Sequence, residues 1–392
     1  MSSYLPSIAR CVAPLSLLVY SACSSGRYHE LRPESEHPRF GAESARSAEA
    51  SAFETVRLET RGVERRDALL RLAVYRPRHF AAPRLIVLLH GALSDHRTFR
   101  FLAPRLSVNG RCDVVAIDLP GCGESEGWPA RRGVCGGFTP AFAAERVLDA
   151  LEALEPELPR GTKLLLVGHS YGGAVALHCA EARWRERFPR AHSRIDGLAL
   201  IAPYDVSSGY KVPELEQIAR LDALQISLAQ VTGFLHRAIG EAVWEGSATP
   251  GDLPREEADR LIEILSRGEL RRAAQWMLRR AAPWRADGTL DSSRAAALER
   301  QLRQVPQPCL LLWGAQDDTL PLELGENLRA KLARAELRVI TASKHSPQVE
   351  QPAECARAIL SWGGELPDGA GAAGRGSAHP ANKPPPPGIR RG

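Results

Sequence analysis

The chain of 392 residues has eight cysteines but no CxxC pair, and no Cys/His spacing of the kind that holds zinc. A phosphate-cradling loop and a cluster of acidic ligands are also missing, so no metal, nucleotide or other cofactor is expected. Charge of one sign is not in excess: 51 Lys and Arg face 46 Asp and Glu. The densest basic stretches, around Arg183–Arg190 and Arg271–Arg280, are broken by acids or by apolar residues at helical spacing. That pattern excludes the one-sided basic surface of a nucleic-acid binder. No apolar run approaches the about 20 residues a membrane-spanning helix needs.

What is present begins with a short leader-like segment. Arg10 precedes an apolar run, Val12–Tyr20, and then Ser21 and Ala22 stand before Cys23. This is the order of a signal peptide over residues 1–22, with a small-residue cleavage site. Small residues before a cysteine resemble the lipobox of bacterial lipoproteins, which would make Cys23 a lipidation site and anchor an exported protein to a membrane. Tyr20 departs from that box, and plain export to the periplasm or medium, or an extension from a mistaken start codon, are the other readings. Residues 23–52 are polar, without apolar periodicity, and are expected to be a flexible tether. Residues 364–392 are rich in proline and glycine and are expected to be disordered.

Between these ends, LIVLL at Leu85–Leu89, DVVAI at Asp113–Ile117, KLLLV at Lys163–Val167, GLALI at Gly197–Ile201 and CLLLW at Cys309–Trp313 read as strands buried on both faces. Helical patterns alternate with them, which predicts an α/β fold with a parallel sheet. FETVRLET and ALLRLAVYRP predict an antiparallel hairpin opening that sheet. Residues 205–304 carry helical patterns only and are expected to form an inserted cap. The core would then be 53–204 plus 305–363. Core packing is the default reading for Trp244, Trp276 and Trp284 in the cap.

The segment LLLVGHSYGG runs from a buried strand through Gly168-His169-Ser170-Tyr171-Gly172 into a helix. A serine on so tight a turn sits at the helix N-terminus, where free amides favour developing negative charge. Its hydroxyl is a poor nucleophile until a base removes the proton. His345, after the last strand, is the candidate base, and Asp317, after the strand Cys309–Trp313, the candidate acid that fixes its tautomer. The backbone N–H groups of Tyr171 and Ala92 are the candidate oxyanion donors.

The residues LIVLLHG, DVVAIDLPGCGES, VGHSYGG, LLLWGAQDDTLP and KHSPQVEQP resemble, in that order, the landmarks of the α/β-hydrolase family with a cap domain. The resemblance implies a mostly parallel eight-stranded sheet with a helical cap between the strand ending near Ile201 and the strand Cys309–Trp313. It also implies acyl chemistry, because relatives that attack carbon place an aspartate where Ser170 stands. Carboxylic esters are the expected substrates, with carbon–carbon bond hydrolysis, haloperoxidase-like activity and a non-catalytic membrane-tethered binding protein as the alternatives. His345, Glu350 and Pro352 match the family's histidine and following Glu-x-Pro. Lys344 stands where the family usually has a small residue, and a cation there would disfavour imidazolium. Asp318 and Asp205 are the fallback acids. His169 reads as an elbow packing residue, Asp118 as a loop brace, and His96 and His178 as helix-surface residues. Cys122 and Cys135 could pair in an oxidising compartment. Oligomeric state is not legible.

Overall fold

The computed structural model of the protein describes residues 26–40, 53–60, 70–107, 112–127 and 137–365. Eight strands form one sheet: β1 (Phe53–Thr60), β2 (Leu70–Pro77), β3 (Arg84–Leu89), β4 (Cys112–Ile117), β5 (Lys163–His169), β6 (Ile195–Ile201), β7 (Cys309–Gly314) and β8 (Ala335–Ile340). Their spatial order is β1-β2-β4-β3-β5-β6-β7-β8. β1 and β2 pair antiparallel, β2 joins β4 antiparallel, and every later pairing is parallel.

Strand pleating explains why the central runs are apolar throughout. Leu85, Val87 and Leu89 enter one core cluster while Ile86 and Leu88 enter another on the opposite face. The first face is covered by α2 (Pro140–Leu154) and α3 (Tyr171–Cys179), which follow α1 (Leu102–Ser107) in the chain. The second is covered by α1 and by the C-terminal helix 352–365, through residues such as Ile359 and Trp362.

After β6 the chain leaves the sheet, as the absence of strand patterns over 205–304 predicts. Following α4 (Pro189–Arg194), the inserted helices are α5 (Pro213–Arg220), α6 (Ala223–Val231), α7 (Phe234–Glu245), α8 (Arg255–Ser266), α9 (Gly268–Arg279) and α10 (Ser292–Leu302). The helical pattern over 213–232 is split into two helices. Asp222 caps α6 by accepting from Gln225 N–H while the Gln225 side chain returns to the Asp222 N–H. Those two bonds satisfy the helix start and break the run.

The expected flexible tether is corrected over part of its length. Residues 26–40 pack on the cap, with Leu31 and Phe40 fully buried. Phe40 stacks on Phe101 of the core at 4.3 Å and joins a cluster with Leu235, Ile239 and Ala258. Two apolar anchors in a polar stretch, without periodicity, carried no sequence signal for this docking. Residues 1–25, with Cys23, and the proline-rich tail lie outside the described residues.

Candidate active site

β5 ends in the sharp turn that the glycines allow. A Cβ on Gly168 would collide with the Gly172 carbonyl, and one on Gly172 with the Leu89 carbonyl. Ser170 between them holds φ 50° and ψ −116°, outside the regions that L-residues favour. Surrounding bonds hold it there. Ser170 N–H donates to the Ile201 carbonyl at 2.9 Å, and the Ser170 carbonyl accepts from Gly173 and Tyr204 N–H. Tyr171 is the first residue of α3, so its N–H has no acceptor within the helix. Ala92 follows Gly91, whose Cα approaches Ser170 closely, and precedes Leu93 at φ 54°. Ala92, Ser170 and Tyr171 line one cavity of about 330 Å³.

The candidate acid and base, 28 residues apart, come together from two loops. His345 Nδ1 lies 2.9 Å from Asp317 Oδ2, and the Asp317 carboxylate is buried. The other carboxylate oxygen accepts from Thr319 and Leu320 N–H. Asp317 is thus fixed at both oxygens, and the imidazole is turned with Nε2 free of that bond. The ring stands 5.0 Å from that of His169, the neighbour of Ser170. Burial disfavours imidazolium, but the charge and hydrogen bond of Asp317, with Asp318 and Glu350 further off, outweigh it. The His345 pKa is accordingly raised above its usual value.

The fallback acids are occupied elsewhere. Asp318 pairs with Lys344 Nζ at 2.8 Å, and Asp205 with Lys331 Nζ at 2.6 Å. The first pairing also corrects the expectation for Lys344. Its ammonium is drawn from His345 to Asp318 and to the Glu245 carbonyl of the cap.

His169 donates through Nε2 to the His345 carbonyl at 2.9 Å, so it braces the base loop as well as packing the elbow. Its pKa is well below the usual value, first by burial and then by the neighbouring His345, so the ring is neutral. Asp118 is a loop brace as read, accepting from His96 and Glu124 N–H. The surface reading of two histidines is corrected. His96 stacks on Tyr75 at 3.5 Å and bonds Asp118, and His178 is buried against Glu181. Cys122 is a buried free thiol beside Met277 Sδ, and Cys135 lies outside the described residues. Trp284, read as core, lines the cavity, whereas Trp276 is partly exposed.

Glu350 does more than its motif suggests. It accepts from Ser343 Oγ and from the N–H groups of Lys344 and Ser346, shaping the loop that carries His345. It also accepts from Ala248 N–H of the cap. Arg39 reaches the Glu350 carbonyl and Asp252, which no local pattern foretold. Among the described residues, no group of His, Cys, Asp and Glu is arranged to hold a metal.

The chain belongs to the alpha/beta hydrolase family, which matches residues 86–358. It is 24% identical over 284 residues to the uncharacterized hydrolase YugF of Bacillus subtilis, covering 70% of this chain and 88% of that one. It is 26% identical over 267 residues to a pimeloyl-[acyl-carrier protein] methyl ester esterase of Neisseria meningitidis, covering 68% and 72%. The fold is also that of the 2-hydroxy-6-oxo-6-phenylhexa-2,4-dienoate hydrolase of Rhodococcus, with TM-score 0.56 at 22% identity, covering 79% and 98%.

Proposed function

We propose that the protein is a serine hydrolase of carboxylic esters acting through an acyl-enzyme. The observation that carries this reading is the His345–Asp317 pair at 2.9 Å, its ring 5.0 Å from that of His169, the neighbour of a strained serine that lines a cavity. Ser170 Oγ attacks the ester carbonyl as its proton passes to His345 Nε2. The carbonyl electrons move onto oxygen, which the N–H groups of Ala92 and Tyr171 receive. Collapse breaks the bond to the alkoxide, which takes the proton from His345. Water then repeats the sequence on the acyl-enzyme, freeing the acid and Ser170. Asp317 stabilises the imidazolium in both halves, and no cofactor enters. A methyl ester esterase among the relatives supports the choice of esters.

A fluorophosphonate probe tests the reading. The wild-type chain should label at Ser170 and hydrolyse p-nitrophenyl acetate, and Ser170→Ala should do neither. Turnover by Ser170→Ala equal to wild type would end the assignment.

A further inference from the structure

Among the described residues, the two most exposed large apolar side chains lie on one helix of the cap. Leu224 and Val231 of α6 are 78% and 87% exposed, and Leu228 between them is 39% exposed. Their spacing of four and three residues puts them on one face of the helix. Ile226, on the other side, is buried, and Gln230 ties the helix to Ser266 at the end of α8. In a chain that is 25% charged, residues 223–235 contain no ionisable side chain. A surface helix without charge and with a continuous apolar face is costly in water.

Two placements say what covers it. Gly26, the first of the described residues, sits against Arg237 and Glu241 of α7, and the Arg237 N–H bonds the Gly233 carbonyl. Gly26 therefore lies about one helical turn from Gly233, which is two residues past Val231. Cys23 is three residues before Gly26, a reach of at most about 11 Å. The apolar run Val12–Tyr20 lies just upstream. At the other end of α6, Arg220 closes α5 two residues before the Asp222 cap, and it lines the cavity that holds Ser170.

We infer that α6 docks on a lipid bilayer, its apolar face lying at the headgroup boundary, and that the esters hydrolysed are drawn from that membrane. This rests on the ester-hydrolase reading for the substrate but not for the docking. Gly26 and the cavity-lining Arg220 thus flank the apolar stripe at its two ends. A lipid ester withdrawn at Arg220 then enters the cavity without crossing water. Among the described residues no helix is long and apolar enough to cross a membrane; an apolar helix face can instead lie in the interface without spanning it.

The test uses the full chain and vesicles of mixed phosphatidylcholine and phosphatidylglycerol. An environment-sensitive fluorescent amino acid at position 227, on the exposed side of α6, should shift to the blue on vesicles and be quenched by a quencher in the acyl region. In Leu224→Gln/Val231→Gln, turnover of an ester embedded in the vesicles should fall at least about tenfold relative to turnover of soluble p-nitrophenyl acetate. An unchanged ratio, with no quenching at 227 on protein that floats with the vesicles, would overturn the proposal. A blue shift without lipid that grows with protein concentration would overturn it in favour of a second copy. A blue shift lost on deleting residues 12–20, lipid absent, would overturn it in favour of that segment. No turnover of the soluble ester by wild type would sink the hydrolase reading, while the fluorescence would still decide the docking.

Discussion

At the scale of single residues, the site is a set of constraints on three side chains. Ser170 is held in an unfavourable backbone state by its bonds to β6 and by glycines that leave no room for a Cβ. His345 is held by Asp317 on its ring and by His169 on its carbonyl. The raised pKa of His345 has a definite consequence for the proposed reaction. A base must be neutral to accept the serine proton, so kcat/KM should rise with pH through an apparent pKa above the usual histidine value near 6.5. Asp317→Asn removes the charge that raises it. The apparent pKa should then move down, and kcat should drop on the order of 10³–10⁴-fold, as the tautomer is no longer fixed. A pH–rate profile of both proteins measures this. An unshifted profile in Asp317→Asn would assign the pH dependence to another group.

At the scale of elements, the segment 26–40 belongs to the folded domain. Phe40 is 1% exposed, stacked between Phe101 and the cap cluster, and Arg39 ties the cap residue Asp252 to the loop after His345. Truncating such a ring leaves a cavity. Phe40→Ala should therefore cost about 3–5 kcal/mol in urea unfolding, whereas a dangling tether would give no change. The loop of His345 has a similar dependence. Glu350→Gln weakens the acceptor of several N–H and O–H groups in a buried place, and about 1–3 kcal/mol of stability should be lost in the same assay. The docking of residues 26–40 was hidden from the sequence for one reason. A single Phe or Arg in a polar stretch has no period, and its partner lies some 60 to 310 residues away.

At the scale of the whole molecule, cap, core and N-terminal segment are joined by a shared ion network. Arg100 of the core pairs with Glu34 of the segment and with Glu257 of α8, which also pairs with Arg260. Burial works against the Glu257 charge, but Arg260 and Arg100 outweigh it, and its pKa is lowered. Removing one partner of a buried set strands the others. Arg100→Ala should destabilise the protein by about 3–5 kcal/mol, and Arg100→Ala/Glu34→Ala/Glu257→Ala should recover part of that loss. Thermal melts of the two variants decide it, and a triple variant no better than the single one would show that packing dominates.

The chain's own sequence determined the sheet, the elbow and the order of serine, acid and histidine. These are written in short-range signals: apolar runs of strand length, glycines where backbone meets backbone, and loops at strand ends. That Asp317 is the carboxylate against the His345 ring, while Asp318 and Asp205 pair with Lys344 and Lys331, is visible only in three dimensions. The docking of residues 26–40, the turning away of Lys344 and the exposed face of α6 were likewise settled by tertiary structure. Each depends on which distant surface a side chain meets, and local pattern carries no record of that.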